Sequence, residues 1–180
     1  MISYPAAFLL ALFLLLIGLA IGFAAGRQML LRASMGEALV ANAITSHFTR
    51  PRVLLNNVTL PTDSGTTQID HVLVADTGIF VIETKHYQGW IFGGANQNEW
   101  TQVIFKKKSR FQNPVRQNYG HLKTLQSLFT LPDDNFIPVI VFTGDAEFKT
   151  DLGPSVLKLE ALTPFLARER PVLFDERKMA

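Results

Sequence analysis

No cysteine occurs among the 180 residues, so a thiol nucleophile is excluded, and the composition fits a reducing compartment. No serine sits in a Gly-x-Ser-x-Gly setting, so a hydrolase nucleophile elbow is missing as well. Charge of one sign is also lacking. The 17 Lys and Arg nearly balance the 15 Asp and Glu, and a net charge of +2 does not mark the whole chain as a nucleic-acid binder. There is no internal repeat and no low-complexity tract. The most local absence is at the front, where no charged residue falls between Pro5 and Ala25.

That uncharged span, rich in Leu, Phe, Ala and Ile, would rise about 30 Å as a helix, enough to cross the hydrocarbon core of a bilayer. A cleaved signal peptide is the competing reading, with Gly22-Phe23-Ala24 as small residues near a cleavage point. Against it, residues 1–7 carry no Lys or Arg and the apolar run exceeds a signal core. The expectation is a single-pass anchor over residues 1–26, in contact with the lipid bilayer through residues 5–25, and a short linker over 27–34. Arg27 and Arg32 follow the span, which places the rest of the chain in the cytoplasm.

Beyond the linker the apolar spacing changes. Leu39, Val40, Ala43 and Ile44 recur at a helical period, with Ser34 as an N-cap and Glu37 as its capping-box partner. Arg52–Leu60 reads as a strand and Pro61–Thr67 as a polar loop. Two apolar runs, Val72–Ala75 and Ile79–Ile82, then flank Asp76-Thr77-Gly78, which is the pattern of a hairpin. With Asp76 and Thr77 at the tip, Asp70 falls opposite Glu83. Glu83 and Lys85, two apart, share a face with it. Two carboxylates and an ammonium thus meet on an otherwise apolar hairpin. Two carboxylates that close repel unless a hard cation lies between them, and such a cation with a nearby Lys suits phosphodiester hydrolysis. His71 and His86 are next to this face rather than on it and read as packing residues.

Gly89–Gly94 and Glu99–Phe105 form a second antiparallel pair, whose Trp90 and Trp100 suit the core or cross-strand packing better than base stacking. Lys106, Lys107, Lys108 and Arg110 make a dense basic run. It suits phosphate contact, with contact to anionic lipid or a solvated loop as alternatives. Asn113 caps a helix opened by Pro114, with Gln117, His121 and Thr124 on one stripe and Val115, Leu122, Leu125 and Leu128 on an apolar face. Phe136–Thr143 reads as a strand buried on both faces. Leu157–Leu159 reads as a short strand, and Thr163-Pro164 as the start of a helix to about Arg168. Pattern alone gives an α/β class.

The order Asp70, then Glu83-Thr84-Lys85, resembles the Asp…(Asp/Glu)-x-Lys signature of restriction-endonuclease-like nucleases. Gly36-Glu37, Gln68-Ile69-Asp70-His71, Gly78–Lys85, Gly89-Trp90-Ile91, Trp100, Gln112-Asn113-Pro114 and Gln117-Asn118 resemble the nuclease-related (NERD) domain more narrowly, over about Met35 to Gly144. The resemblance implies a three-layer, restriction-endonuclease-like core over residues 35–145, with residues 146–180 as a strand and helix extension packed on it. It implies a membrane-anchored nuclease dependent on Mg²⁺ or Mn²⁺ and acting on DNA or RNA. Asp70 and Glu83 would ligate metal with help from Glu37, Lys85 would stabilise charge or orient water, and Gln117 would support Lys85 or substrate. In the related nucleases a Tyr stands where this chain has His121, whose role stays open. The rival reading is a non-catalytic membrane-tethered domain that binds nucleic acid or protein.

Overall fold

The computed structural model describes residues 34–49 and 52–174. The predicted membrane span over residues 5–25, with Arg27 and Arg32, lies outside them, as does the polar C-terminus from residue 175. No helix among the described residues is long and apolar enough to cross a membrane. The chain divides into two compact units, Met1–Ser34 and Met35–Ala180, and apart from Ser34 the described residues belong to the second.

Helix α1 covers residues 34–47. Ser34, predicted as the N-cap, is already helical. Three strands follow: β1 (Arg52–Thr62), β2 (Gly65–Ala75) and β3 (Gly78–Lys85). The loop predicted over Pro61–Thr67 is instead the ends of β1 and β2, with Pro61 opposite Thr66 and Thr62 opposite Gly65. Proline is tolerated there because β1 is an outer strand. Later strands β7 (Phe136–Phe142) and β9 (Val156–Lys158) run parallel to β3 and complete a five-stranded mixed sheet in the order β1-β2-β3-β7-β9.

Alternation along β2 and β3 gives this sheet two apolar faces. Leu73, Ala75, Phe80 and Ile82 pack with Val40 and Ile44 of α1, with Phe48 just beyond it, and with Leu162, Phe165 and Leu166. Val72, Ile79 and Val81 pack on the other side with Leu122 and Leu125. Those leucines belong to helix α2 (Pro114–Gln126), which begins as predicted: Asn113 Oδ1 accepts from the Val115 amide and Pro114 stands in the first turn. The Asn113 side chain is buried and also donates to the carbonyls of Gly94, Ala95 and Gln97, which ties the start of α2 to the neighbouring sheet. Helix α3 covers Leu159–Leu166, with Pro164 inside it rather than at its start. Burial of Leu162, Phe165 and Leu166 outweighs the one helical hydrogen bond that Pro164 removes.

A second sheet was not expected in full. It has the order β6-β5-β4-β8, from β4 (Gly89–Phe92), β5 (Glu99–Ile104), β6 (Lys107–Gln112) and β8 (Ala146–Phe148). The basic run is therefore an edge strand and its turn, paired to β5 residue by residue from Glu99–Gln112 to Ile104–Lys107. Trp100 is fully buried and stacks on Phe142, whereas Trp90 is 48 % exposed. The strand alternation separates them: Trp90 pairs with Val103, which points away from Trp100.

The links that carry β3 into β4 and β7 into β8 run side by side. The Thr143 amide donates to Lys85 O at 3.0 Å and the Gly89 amide to Asp145 O at 3.2 Å. Gly144 lies between these bonds, where a Cβ would stand 2.0 Å from the Tyr87 carbonyl oxygen. Gly144→Ala is therefore expected to destabilise the fold by about 1–3 kcal/mol through overpacking. Denaturant unfolding checks this, and a loss below about 0.5 kcal/mol would mean that the two links part freely.

Candidate active site

The hairpin of β2 and β3 turns at Asp76 and Thr77, with Ala75 opposite Gly78 and His71 opposite Ile82. Beyond the last of these pairs, Asp70 lies close enough to Glu83 to feel its charge, and its Oδ2 reaches the Thr84 amide. Ile79 and Val81 face α2, so Glu83 and Lys85 emerge on that side at the C-terminal end of β3. Asn118, buried on α2, donates to the carbonyls of Val81 and Val139 and holds the helix against β3 and β7. One helical turn apart on the same stripe, Gln117 and His121 then reach the two charged residues.

Lys85 Nζ donates to Glu83 Oε1 at 2.6 Å and to Gln117 Oε1 at 3.0 Å. His121 Nε2 lies 3.3 Å from Glu83 Oε2 and 3.4 Å from Gln117 Nε2, so its contact with the buried Glu83 oxygen is off-line and leaves that oxygen without a well-formed hydrogen bond. The other ring nitrogen of His121 is 2.8 Å from Thr67 Oγ1. Across the hairpin, Asp70 Oδ2 accepts from the Thr84 amide at 2.7 Å. Glu37 approaches from α1. Its neighbour Gly36 is packed so closely on the end of β3 that a Cβ would lie 2.9 Å from His86 Cβ and 2.8 Å from Thr143 Oγ1.

These placements set the protonation states. Glu83 is only 2 % exposed, and burial, the largest influence, pushes its pKa up; His121 and Lys85 together outweigh that and hold it below the ordinary value. Asp70 has less help. Burial first, then the Glu83 charge and more weakly Glu37, push it up to about 7 against the opposing Thr84 amide and Lys85. Two carboxylates crowd one small volume and one of them resists ionisation. His71, on the opposite face, is driven down to about 4 by burial. Its Nδ1 is 2.8 Å from Asn56 Oδ1, an amide oxygen that can only accept, so the neutral ring carries its proton there. His86 meets Thr143 Oγ1 at 3.0 Å. Both histidines act in packing, as their positions beside the charged face suggested.

Among the described residues, no three His, Asp or Glu side chains gather closely enough to hold a metal ion by themselves. The pair fits a hard cation nonetheless. Mg²⁺ takes oxygen ligands, and one or two carboxylates suffice when water and substrate phosphate supply the rest. Glu83 Oε2, buried without a well-formed hydrogen bond, and Asp70, whose charge its neighbours disfavour, both gain from a cation between them.

Of the residues singled out in the sequence, Asp70, Glu83, Lys85 and Gln117 meet in one cluster, and Glu37 is close enough for Asp70 to feel its charge. Lys106, Lys107, Lys108 and Arg110 do not join it; they are exposed on the second sheet. His121 and Thr67 complete the cluster and had not been given roles. The four-residue step from Gln117 to His121 was a signal for the first. No pattern pointed to Thr67, which the sequence placed in a loop.

A family model of the nuclease-related domain matches residues 32–143. An uncharacterized protein of Bacillus anthracis is 48 % identical over 98 residues, which cover 54 % of this chain and 46 % of that protein. The chain thus matches less than half the length of this relative.

Proposed function

The chain belongs to the nuclease-related domain family, whose model covers residues 32–143, and on that premise we propose that it is a metal-dependent nuclease hydrolysing DNA or RNA phosphodiester bonds. One observation carries the reading: the Lys85 ammonium is fixed by Glu83 Oε1 and Gln117 Oε1 beside a second carboxylate, Asp70. A solvated strand-end ion pair would contribute at most about 1 kcal/mol and would need no buried carboxylate. A helix with two polar residues set over the pair is an arrangement for chemistry.

Asp70 and Glu83 would hold Mg²⁺ or Mn²⁺, with Glu37 reaching it through water. Bound there, the ion would polarise a phosphoryl oxygen and lower the pKa of a bound water. Lys85 has three N–H donors, of which Glu83 and Gln117 take two. The third is left for the water or for a phosphate oxygen whose charge grows during attack. Gln117 fixes the Lys85 rotamer, and His121, held by Thr67, keeps Glu83 ionised and in place. The sheet with helices on both faces supports a restriction-endonuclease-like core. Lys106, Lys107, Lys108 and Arg110 would meet backbone phosphates. The uncharged residues 5–25, followed by Arg27 and Arg32, support an anchor that leaves this domain at the cytoplasmic membrane surface.

Incubating the full chain in detergent with end-labelled DNA and RNA oligonucleotides, in Mg²⁺, in Mn²⁺ and in EDTA, tests this. Cleavage confined to the metal-containing reactions is expected. Oligonucleotide binding with no cleavage under any condition would instead make the domain a non-catalytic binding module.

A further inference from the structure

The second sheet has one buried and one open face. Ile91, Trp100 and Ala146 turn inward with Ile140, Phe142 and Val156. The alternate residues turn outward, and the registers align Lys108, Val103, Trp90 and Glu147 in one row, with Arg110, Thr101 and Phe92 in the next. An indole 48 % exposed therefore lies in the middle of an open sheet, with the basic edge strand two positions away. Lys149 Nζ, paired with Glu147, sits 4.8 Å over the Trp90 ring and fixes it from the other side.

The tip of the β5–β6 hairpin continues this surface. Phe105 is 97 % exposed and has φ of 53°, a left-handed conformation that costs a bulky residue on the order of 1 kcal/mol or more. Beside it, Lys106, Lys107 and Lys108 have no acidic partner among the described residues, while Arg110 lies 3.6 Å from Glu99. Ile104 pairs with Lys107, so the two-residue loop Phe105-Lys106 itself demands the positive φ, at a position where glycine is usual; the choice of a large aromatic there, exposed and beside free cations, suits a contact surface.

We propose that this face, Trp90 with Phe105 and Lys106–Lys108, binds single-stranded nucleic acid by base stacking, and so selects unpaired strands for the adjacent site; this rests on the nuclease reading above. Every base has a face that stacks on an aromatic ring, and the flanking ammonium groups meet the backbone phosphates. A paired duplex hides its base faces and would use only the lysines. The position suits the task. Trp90 follows Lys85 by five residues of β3–β4 chain, and Gln102 Nε2 donates to Gln88 O at 2.8 Å, holding the β5–β6 hairpin beside that link. Five residues reach at most about 18 Å, or about five stacked nucleotides at roughly 3.4 Å each. An anionic bilayer would also attract the lysines and the exposed phenyl ring. It would meet the hairpin tip, however, and leaves the indole in the middle of the sheet unexplained.

The test measures binding of fluorescein-labelled oligo(dT) and oligo(rU) of about 12 nucleotides, and of a duplex of equal length, to the full chain in detergent and EDTA. Trp90→Ala and Phe105→Ala are measured alongside, with circular dichroism to confirm folding. Each is expected to weaken single-strand binding on the order of tenfold and to leave duplex binding nearly unchanged. Lys106→Gln, Lys107→Gln and Lys108→Gln together remove three positive charges and should weaken both and flatten the salt dependence. Equal affinity for single and double strands, untouched by Trp90→Ala in a folded variant, would overturn the proposal. So would oligonucleotide binding abolished in phosphatidylserine nanodiscs but not in phosphatidylcholine nanodiscs, since the face would then belong to lipid. Because EDTA prevents turnover, Trp90-dependent binding by a chain that never cleaves would leave this inference standing and overturn the nuclease instead.

Discussion

Asp70→Asn is expected to abolish metal-dependent cleavage, by a factor of at least about 10²–10⁴, while making the metal-free chain more stable above neutral pH. The second effect follows from the carboxyl's raised pKa, about 7 against an ordinary 3.8, with burial as the first cause and Glu83 as the second. Between these values the unfolded chain has lost the proton and the folded chain keeps it. Stability is then fully present below about pH 4 and falls as the pH rises through 7. A shift of about three units corresponds to roughly 4 kcal/mol, and solvent at this partly open site reduces that to about 2 kcal/mol. Asparagine keeps an acceptor for the Thr84 amide and carries no charge, so the variant should lack this decline. Thermal melts of both proteins from pH 4 to 8 check the slope. Saturating Mg²⁺ should restore the wild type and leave the variant unmoved. Parallel melting curves would mean that Asp70 is not crowded by Glu83.

Lys85→Met is expected to lower the cleavage rate on the order of 10²–10³-fold and also to destabilise the fold. Its ammonium is the nearest cation to Glu83, at 2.6 Å, and Glu83 is almost wholly buried. Removing one partner of a buried pair leaves an uncompensated charge and costs about 3–5 kcal/mol. Here His121 retains part of the compensation, so the loss should sit at the lower end. The double variant Glu83→Gln with Lys85→Met separates the two consequences. It removes both charges together, should recover most of the stability and should stay inactive. Activity returning with stability would mean that Lys85 serves only the fold.

The hairpin at the centre of the site was legible because its turn allows little choice. Two residues at the tip fix the register, and the register fixes which side chains share a face. The cap and Pro114 made the start of α2 legible, and with it the stripe that carries Gln117; that Gln117 meets Lys85 was implied only by the resemblance to related nucleases. Features that depended on distant partners were not legible. Lys107–Arg110 has little strand propensity of its own and is held extended by its ladder to β5. Thr163-Pro164 obeys the local rule for a helix start, yet the helix begins at Leu159, where apolar burial against the first sheet takes over. Trp90 and Trp100 each lie in an apolar strand, and only the pairing of Trp90 with Val103 reveals that they face opposite ways. The buried contact of His121 with Glu83 likewise required the packing of α2 on the sheet.

Single-turnover cleavage of a labelled oligonucleotide by the wild-type chain beside Glu83→Gln, in saturating Mn²⁺, tests the central claim most directly. Glutamine keeps the shape of the side chain and an oxygen for Lys85, and removes only the charge. The account predicts a folded variant whose cleavage is at least about 100-fold slower, with oligonucleotide binding intact. Equal rates in the two proteins would contradict it, because the chemistry would then not depend on the charge of the Asp70–Glu83–Lys85 cluster.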